Sequence, residues 1–259
     1  MVPLRVGIIG FGELGKYLLE QLAAIPDRFQ VVFVYNRTPV QHPLYVASVS
    51  EHRVNLLVEV AHPCVIRDLG LLHLGADVFV GSPTAFAGED LPIPADVACY
   101  VPVGALWGGE DILKMQSSLA GLTVTMAKHP EHLRTCVGEL RERLDAYIAD
   151  ESRQEAVVLY RGPVRQLCPL APNNVNTMAC AALVGLGFDA TTGCLIADKS
   201  LTGHHVVTVE VASKSGLQVT TVRRNPARLG AVTGQATFAS FFQSLLRAHS
   251  KPKGRISVV

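Results

Sequence analysis

The sequence predicts an α/β protein in two parts: a doubly wound parallel sheet, then a second α+β domain built on a mixed or antiparallel sheet. Three observations predict it. The chain opens on an apolar run that ends in a glycine-rich turn and passes straight into an amphipathic helix. Further short apolar runs then alternate with helical segments, the pattern of strands covered on both faces. Near residue 110 the pattern changes to period-two alternation, the mark of strands with one covered face.

The first strand is carried by Val6, Ile8 and Ile9 and ends in Gly10-x-Gly12-x-x-Gly15. Residues 16–24 repeat apolar positions at helical spacing until Pro26 stops them. Gly10 permits a tight turn, Gly12 lets backbone approach a pyrophosphate, and Gly15 lets helix and strand pack closely. The positive end of the helix then faces the phosphates, with Gly10, Phe11, Gly12, Glu13 and Leu14 as the contacting stretch. Residues 30–35 form the second strand, followed by Asn36 and Arg37 where a ribose-contacting residue is expected. A neutral Asn36 beside a cationic Arg37 suits a 2′-phosphate, so NAD or NADP is the expected cofactor; the alternative is a solvated arginine. Residues 55–60 make the third strand, and Pro63 opens a helix predicted to run to about residue 74. Strands follow at 77–81 and 96–101, and the loops at His62, Ser82 and Gly104 are expected at strand carboxyl ends. The dinucleotide-binding domain is thus placed at 1–109.

Alternating runs at 122–127, 156–160, 206–211 and 217–222, with helices at about 130–150 and 175–186, define a domain at 110–232. A last amphipathic segment, about 233–248, is expected to pack back on the first domain, and residues 251–255 to form a solvated tail.

Composition excludes several classes. Hydrophobic content is 49%, charged content 17% and net charge +1, which argues against disorder and against nucleic acid or anionic membranes as partners. No apolar stretch is long enough to span a bilayer. The first strand begins at once, so no leader is expected and the protein is placed in the cytoplasm. The six cysteines are scattered without metal-ligand spacing, so reduced thiols and no metal are expected.

Two places in the second part could carry chemistry. Asn174 is suited to cap the helix that follows, or, with Asn173 and Asn176, to hold a carboxamide or carboxylate. His204 and His205 open an alternating strand on opposite faces; each is either a core histidine or a group that exchanges a proton. His42, His52, His73 and His249 read as surface or loop residues, and His132, near the start of a helical stretch, as solvated.

With these residues in hand, the chain resembles the L-aspartate dehydrogenase family over nearly its whole length. The resemblance is carried by Gly10-Phe11-Gly12-Glu13-Leu14-Gly15, Val58-Glu59-Val60-Ala61-His62-Pro63 and Gly104-Ala105-Leu106-Trp107-Gly108-Gly109-Glu110-Asp111-Ile112. Asn174-Val175-Asn176-Thr177-Met178-Ala179, Ile196-Ala197-Asp198 and His205 carry the rest. It implies a Rossmann domain, then a domain supplying substrate contacts and a homodimer interface, and NAD(P)-dependent conversion of L-aspartate to iminoaspartate and then oxaloacetate and ammonia. It assigns the catalytic histidine to His205 and cofactor contacts to Ala105 and Asn174. Lys128 would meet the carboxylates of a dicarboxylic amino acid or keto acid, with Asn176 and His129 as weaker candidates. The chain departs from the bacterial Arg-Lys-Pro-Pro loop, having Ala127-Lys128-His129-Pro130, one positive charge fewer. Rival readings are a non-enzymatic dinucleotide-binding sensor and a reductase of another imine or a semialdehyde.

Overall fold

The structure, a computed structural model, describes residues 2–88, 91–230, 235–248 and 251–259. The chain divides into two units, one of residues 1–85, 90–102 and 238–259, the other of residues 86–89 and 103–237.

In the first unit, β1 (Leu4–Ile9) leads into α1 (Glu13–Ala23), then β2 (Phe29–Tyr35), a short β3 (Tyr45–Val46) and β4 (Leu56–Glu59). Next come α2 (Cys64–Asp68), β5 (Asp77–Val80) and β6 (Ala98–Val101). All of these strands pair in parallel, in the order β6-β5-β4-β1-β2-β3. The chain therefore leaves β1 toward one sheet edge and returns beside it as β4, so β1 and β4 flank a topological switch point. Ligands of open α/β sheets bind beyond the strand carboxyl ends at such a point. The central strands read as continuous apolar runs because both of their faces are covered: Val6, Ile8, Leu56, Val58 and Phe79 pack with Leu18 and Leu22 of α1.

The second unit opens with α3 (Gly109–Lys114), and β7 (Leu119–Lys128) runs through the middle of its sheet. Then come α4 (Gly138–Ala149), β8 (Val157–Pro163), α5 (Val164–Leu167), α6 (Asn176–Val184) and α7 (Gly187–Ala190). The strands β9 (Thr192–Ala197), β10 (His204–Ser213) and β11 (Gln218–Pro226) complete a sheet of order β11-β10-β7-β9-β8. It is mixed, as predicted: β7 and β9 are parallel and the other pairs antiparallel. One face is packed: a Cβ placed on Gly193 would stand 3.0 Å from the Met178 sulfur and 3.2 Å from a Leu167 methyl. On the other face Thr125, Thr208 and Val222 line up across β7, β10 and β11.

The chain ends in the first unit. Helix α8 (Gln235–Leu246) places Phe241 and Leu245 in the core with Ile8 and Phe79, and β12 (Arg255–Val258) pairs in parallel with β6. The predicted start of that helix at 233, and His249, lie outside the described residues.

Several elements differ from expectation. The tail expected at 251–255 runs at Arg255 into a strand to which no element had been assigned, because β6 offers an open edge to Ile256 and Val258. The predicted helix after Pro63 stops at Asp68, since Gly70 takes φ +58°, and resumes as a short 3₁₀ turn at Leu71–His73. The predicted helix at 130–150 is a 3₁₀ turn, Pro130–Leu133, then a break at 134–137, then α4, which opens on Gly138 at φ +57°.

Candidate active site

At the switch point the glycines separate into two kinds. Gly10 sits at φ +108°, and a Cβ there would lie 2.8 Å from the Val60 carbonyl oxygen. A Cβ on Gly15 would fall against the Gly10 carbonyl. Both are demanded by the protein's own backbone. A Cβ on Gly12 would meet no protein atom within 4 Å, and Gly12 caps α1 with no side-chain hydrogen bond. Its bareness is therefore unexplained by packing, and it leaves the first-turn N–H groups of α1 open to an anion. The residues present thus fit a dinucleotide pyrophosphate.

Asn36, at the end of β2, accepts a hydrogen bond on Oδ1 from the Phe11 N–H (3.1 Å), and its Nδ2 donates to the Thr38 carbonyl (2.8 Å). It braces the glycine turn, and Arg37 follows it at the strand end. Burial and the Arg37 charge together hold the His62 imidazole below its ordinary pKa. Arg37, after β2, and His62, after β4, thus stand near one another at the ends of the two strands that flank β1. Glu59, fully buried at the end of β4, accepts from Ala61 N–H (2.7 Å), Ser82 N–H (3.0 Å) and the Ser82 hydroxyl (3.0 Å). Burial pushes its pKa up to about 7 despite these bonds.

The second unit gathers its polar groups at one end of its sheet. Val206 pairs with Ala127, so the next positions on the two strands, His205 and Lys128, stand at the same end. Both belong to the packed face and both are buried. Asn225 lies directly opposite His205 on β11 and is also buried. The Lys128 ammonium donates to the Asn174 carbonyl (3.1 Å) and to Asn174 Oδ1 (3.4 Å). Burial drives its pKa down to about 8. Asn174 Nδ2 in turn donates to Thr135 Oγ1 (2.5 Å). The His132 and His205 rings meet edge-to-face, with centroids 4.5 Å apart and planes at 79°. His129 stands 6.1 Å beyond His132.

The structure therefore brings Gly10, Phe11, Gly12, Glu13, Leu14, Asn36 and Arg37 together in the first unit, and Lys128, His129, Asn174 and His205 in the second. Ala105, on the turn closed by the Leu106 N–H to the Val103 carbonyl (3.0 Å), adds no polar side chain to that cluster. Asn176 is the first residue of α6. The capping alternative for Asn174 does not hold: Val175 occupies the N-cap, and the Asn174 amide is turned to Thr135 and Lys128. His132 is fully buried, which corrects its reading as solvated. Its signal was present as a His-x-x-His spacing across Pro130, since a 3₁₀ turn sets positions three apart on one side. Glu59 and Asn225 were also missed as polar groups of these sites: Glu59 lies within a run that reads as strand, and Asn225 lies beyond the run predicted at 217–222, in the part of β11 that alternation did not reveal. Among the described residues, no three His, Cys, Asp or Glu side chains converge as a metal site. Nor is any described helix long and apolar enough to cross a membrane.

Residues 111–244 match the family model for the C-terminal part of aspartate dehydrogenase. The chain is 41% identical to an aspartate dehydrogenase domain-containing protein of Danio rerio, over 94% of each chain. It is 28% identical to an L-aspartate dehydrogenase of Methanococcoides burtonii, covering 86% of this chain and 89% of that one. The crystal structure of aspartate dehydrogenase from Thermotoga maritima shares the fold, with a TM-score of 0.69 at 20% identity over 94% of each chain.

Proposed function

Because the chain belongs to the aspartate dehydrogenase family, we propose that it catalyses the NAD(P)-dependent oxidative deamination of L-aspartate, or the reverse amination of oxaloacetate. The observation that carries this reading is the placement of Lys128 and His205, each one position beyond the Val206–Ala127 pair, at one end of the second sheet. A buried cation and a buried imidazole on neighbouring strands suit a substrate that brings carboxylates and needs one proton moved.

A nicotinamide dinucleotide, when bound, supplies the acceptor for the hydride on C2 of aspartate. The bare backbone at Gly12 and the N–H groups of α1 hold its pyrophosphate. Phe11, Glu13 and Leu14 complete that wall, while Asn36 keeps the turn in shape. Asn36 stands in the sequence where an acidic residue would repel a 2′-phosphate, and Arg37 follows it, so NADP is accepted as well as NAD. Asn174 and Ala105 contact the nicotinamide end. Lys128 binds a substrate carboxylate, with His129 and Asn176 at the edge of that site. Neutral His205 takes the proton from the water oxygen as it adds to the imine carbon, and ammonia leaves to give oxaloacetate. The open face of the second sheet, with Thr125, Thr208 and Val222 in one row and Val222 59% exposed, suits pairing with a second copy of the chain.

The test is absorbance of reduced cofactor in both directions. Aspartate with NADP or NAD should generate NAD(P)H, and oxaloacetate with ammonia should consume NADPH. Tight cofactor binding without turnover in either direction would leave only a dinucleotide-binding scaffold.

A further inference from the structure

We propose that His132 is a positioning residue for His205: its ring fixes the plane of the His205 imidazole. The inference rests on the dehydrogenase reading for its consequence in turnover, but the contact itself does not.

His205 is delivered by β10, which is held on both sides by β7 and β11. That backbone fixes where the Cβ points, not how the ring is turned. The last torsion of a histidine side chain is broad and roughly two-fold, so the plane of a catalytic imidazole must be set by what it touches. In this protein a second imidazole does so. His132 is fully buried and His205 is 4% exposed. Their rings meet at 4.5 Å and 79°, the edge-to-face arrangement that aromatic rings prefer. Rotating His205 about its last torsion would drive its edge into His132 or open a void beside it.

His132 is itself held. Its N–H donates to the His129 carbonyl (2.9 Å), and the Glu131 N–H donates to His129 Nδ1 (3.2 Å), closing the 3₁₀ turn from its start. Leu133 buries the other end, and the Val137 N–H donates to the Leu170 carbonyl (2.8 Å) just beyond. A turn pinned at both ends fixes where the His132 Cβ points, and full burial holds the ring that it carries. Misplacing a reacting group by about 1 Å can cost about 100-fold in rate.

The experiment compares H132L, which keeps volume but removes the ring, with H132F, which restores an aromatic edge without a titrating nitrogen. Both should fold, as judged by thermal melts. H132L should lose about 10- to 100-fold in kcat with KM for aspartate and cofactor little changed, and H132F should recover most of that loss. In NMR spectra without ligand, the His205 ring signals should move in H132L and stay near their native positions in H132F. Native kcat in H132L, or equal losses in both variants, would overturn the proposal. If the native chain turned over no aspartate, the functional reading would fall alone. The His205 signals would then still decide the pair, since unchanged signals in H132L would overturn it.

Discussion

Burial sets the Lys128 ammonium against its own charge, and a pKa near 8 fixes the sign of the resulting pH effect. Below about 8 the amine is charged and grips carboxylate; above it the proton is lost. KM for aspartate should therefore stay level on the acid side and rise above pH 8, read from initial rates across pH 6.5–9.5 at saturating cofactor. Lys128→Met should raise that KM by about 10- to 100-fold and remove its alkaline rise, because a hydrogen bond to a charged group is worth about 1.5–3 kcal/mol. His205→Ala should lower kcat by about 100- to 10,000-fold while leaving cofactor affinity intact, measured by titration calorimetry beside steady-state rates. At this scale the sequence was uneven. Lys128 and His205 were visible as residue types at strand ends. The burial of His132 was only half legible, because its spacing from His129 sets the two on one side of a turn without saying whether that side faces the core. Asn174 was legible as functional or as a cap, and only its bonds to Thr135 and Lys128 separate the two.

Among the elements, the glycine turn and the strand end beside it make separable predictions. Gly15→Ala drives a methyl into the Gly10 carbonyl and should unfold or loosen the first unit, seen as a lowered melting temperature. Gly12→Ala meets nothing in the protein and should melt as the native chain does, yet bind dinucleotide more weakly by about tenfold or more. If both variants bound cofactor normally, the turn would not be the pyrophosphate site. Glu59 bonds the loop after β4 to the loop after β5 through Ala61 and Ser82. Its folded pKa of about 7 lies above the ordinary 4.5, so the folded state holds its proton more tightly. The stabilisation is complete below about pH 4.5 and lost as pH rises through about 7. It amounts to about 3 kcal/mol. Urea unfolding at pH 5 and pH 8 should show that slope in the native chain, and Glu59→Gln should flatten it. The strands β1, β2, β4, β5 and β6 were readable because continuous apolar runs have few other uses. The strand β9 was not, since Thr192-Gly193-Cys194 lacks both alternation and a long apolar run, and only its place between β7 and β8 makes it a strand.

For the molecule as a whole, the open face of the second sheet predicts self-association. Light scattering should give the mass of two chains, and Thr208→Arg, in the middle of that face, should give one while the melt is kept. A dimer that survives the arginine would place the contact elsewhere. The two-part organisation was legible from the switch in periodicity near residue 110, but the closing of the first sheet by residues 255–258 was not. A run of four residues that follows lysines and a glycine carries too little pattern to read as strand until a neighbouring edge is known. That closing strand has a consequence for biogenesis. The first unit begins its sheet with β1 and needs β12, from the far side of the second unit's sequence, to cover the edge of β6. During synthesis its nascent sheet keeps an exposed flank, a hazard for mispairing, until β12 has emerged. Fusions appended after Val259 would crowd that flank, whereas additions ahead of Val2, which is 92% exposed, would leave it alone.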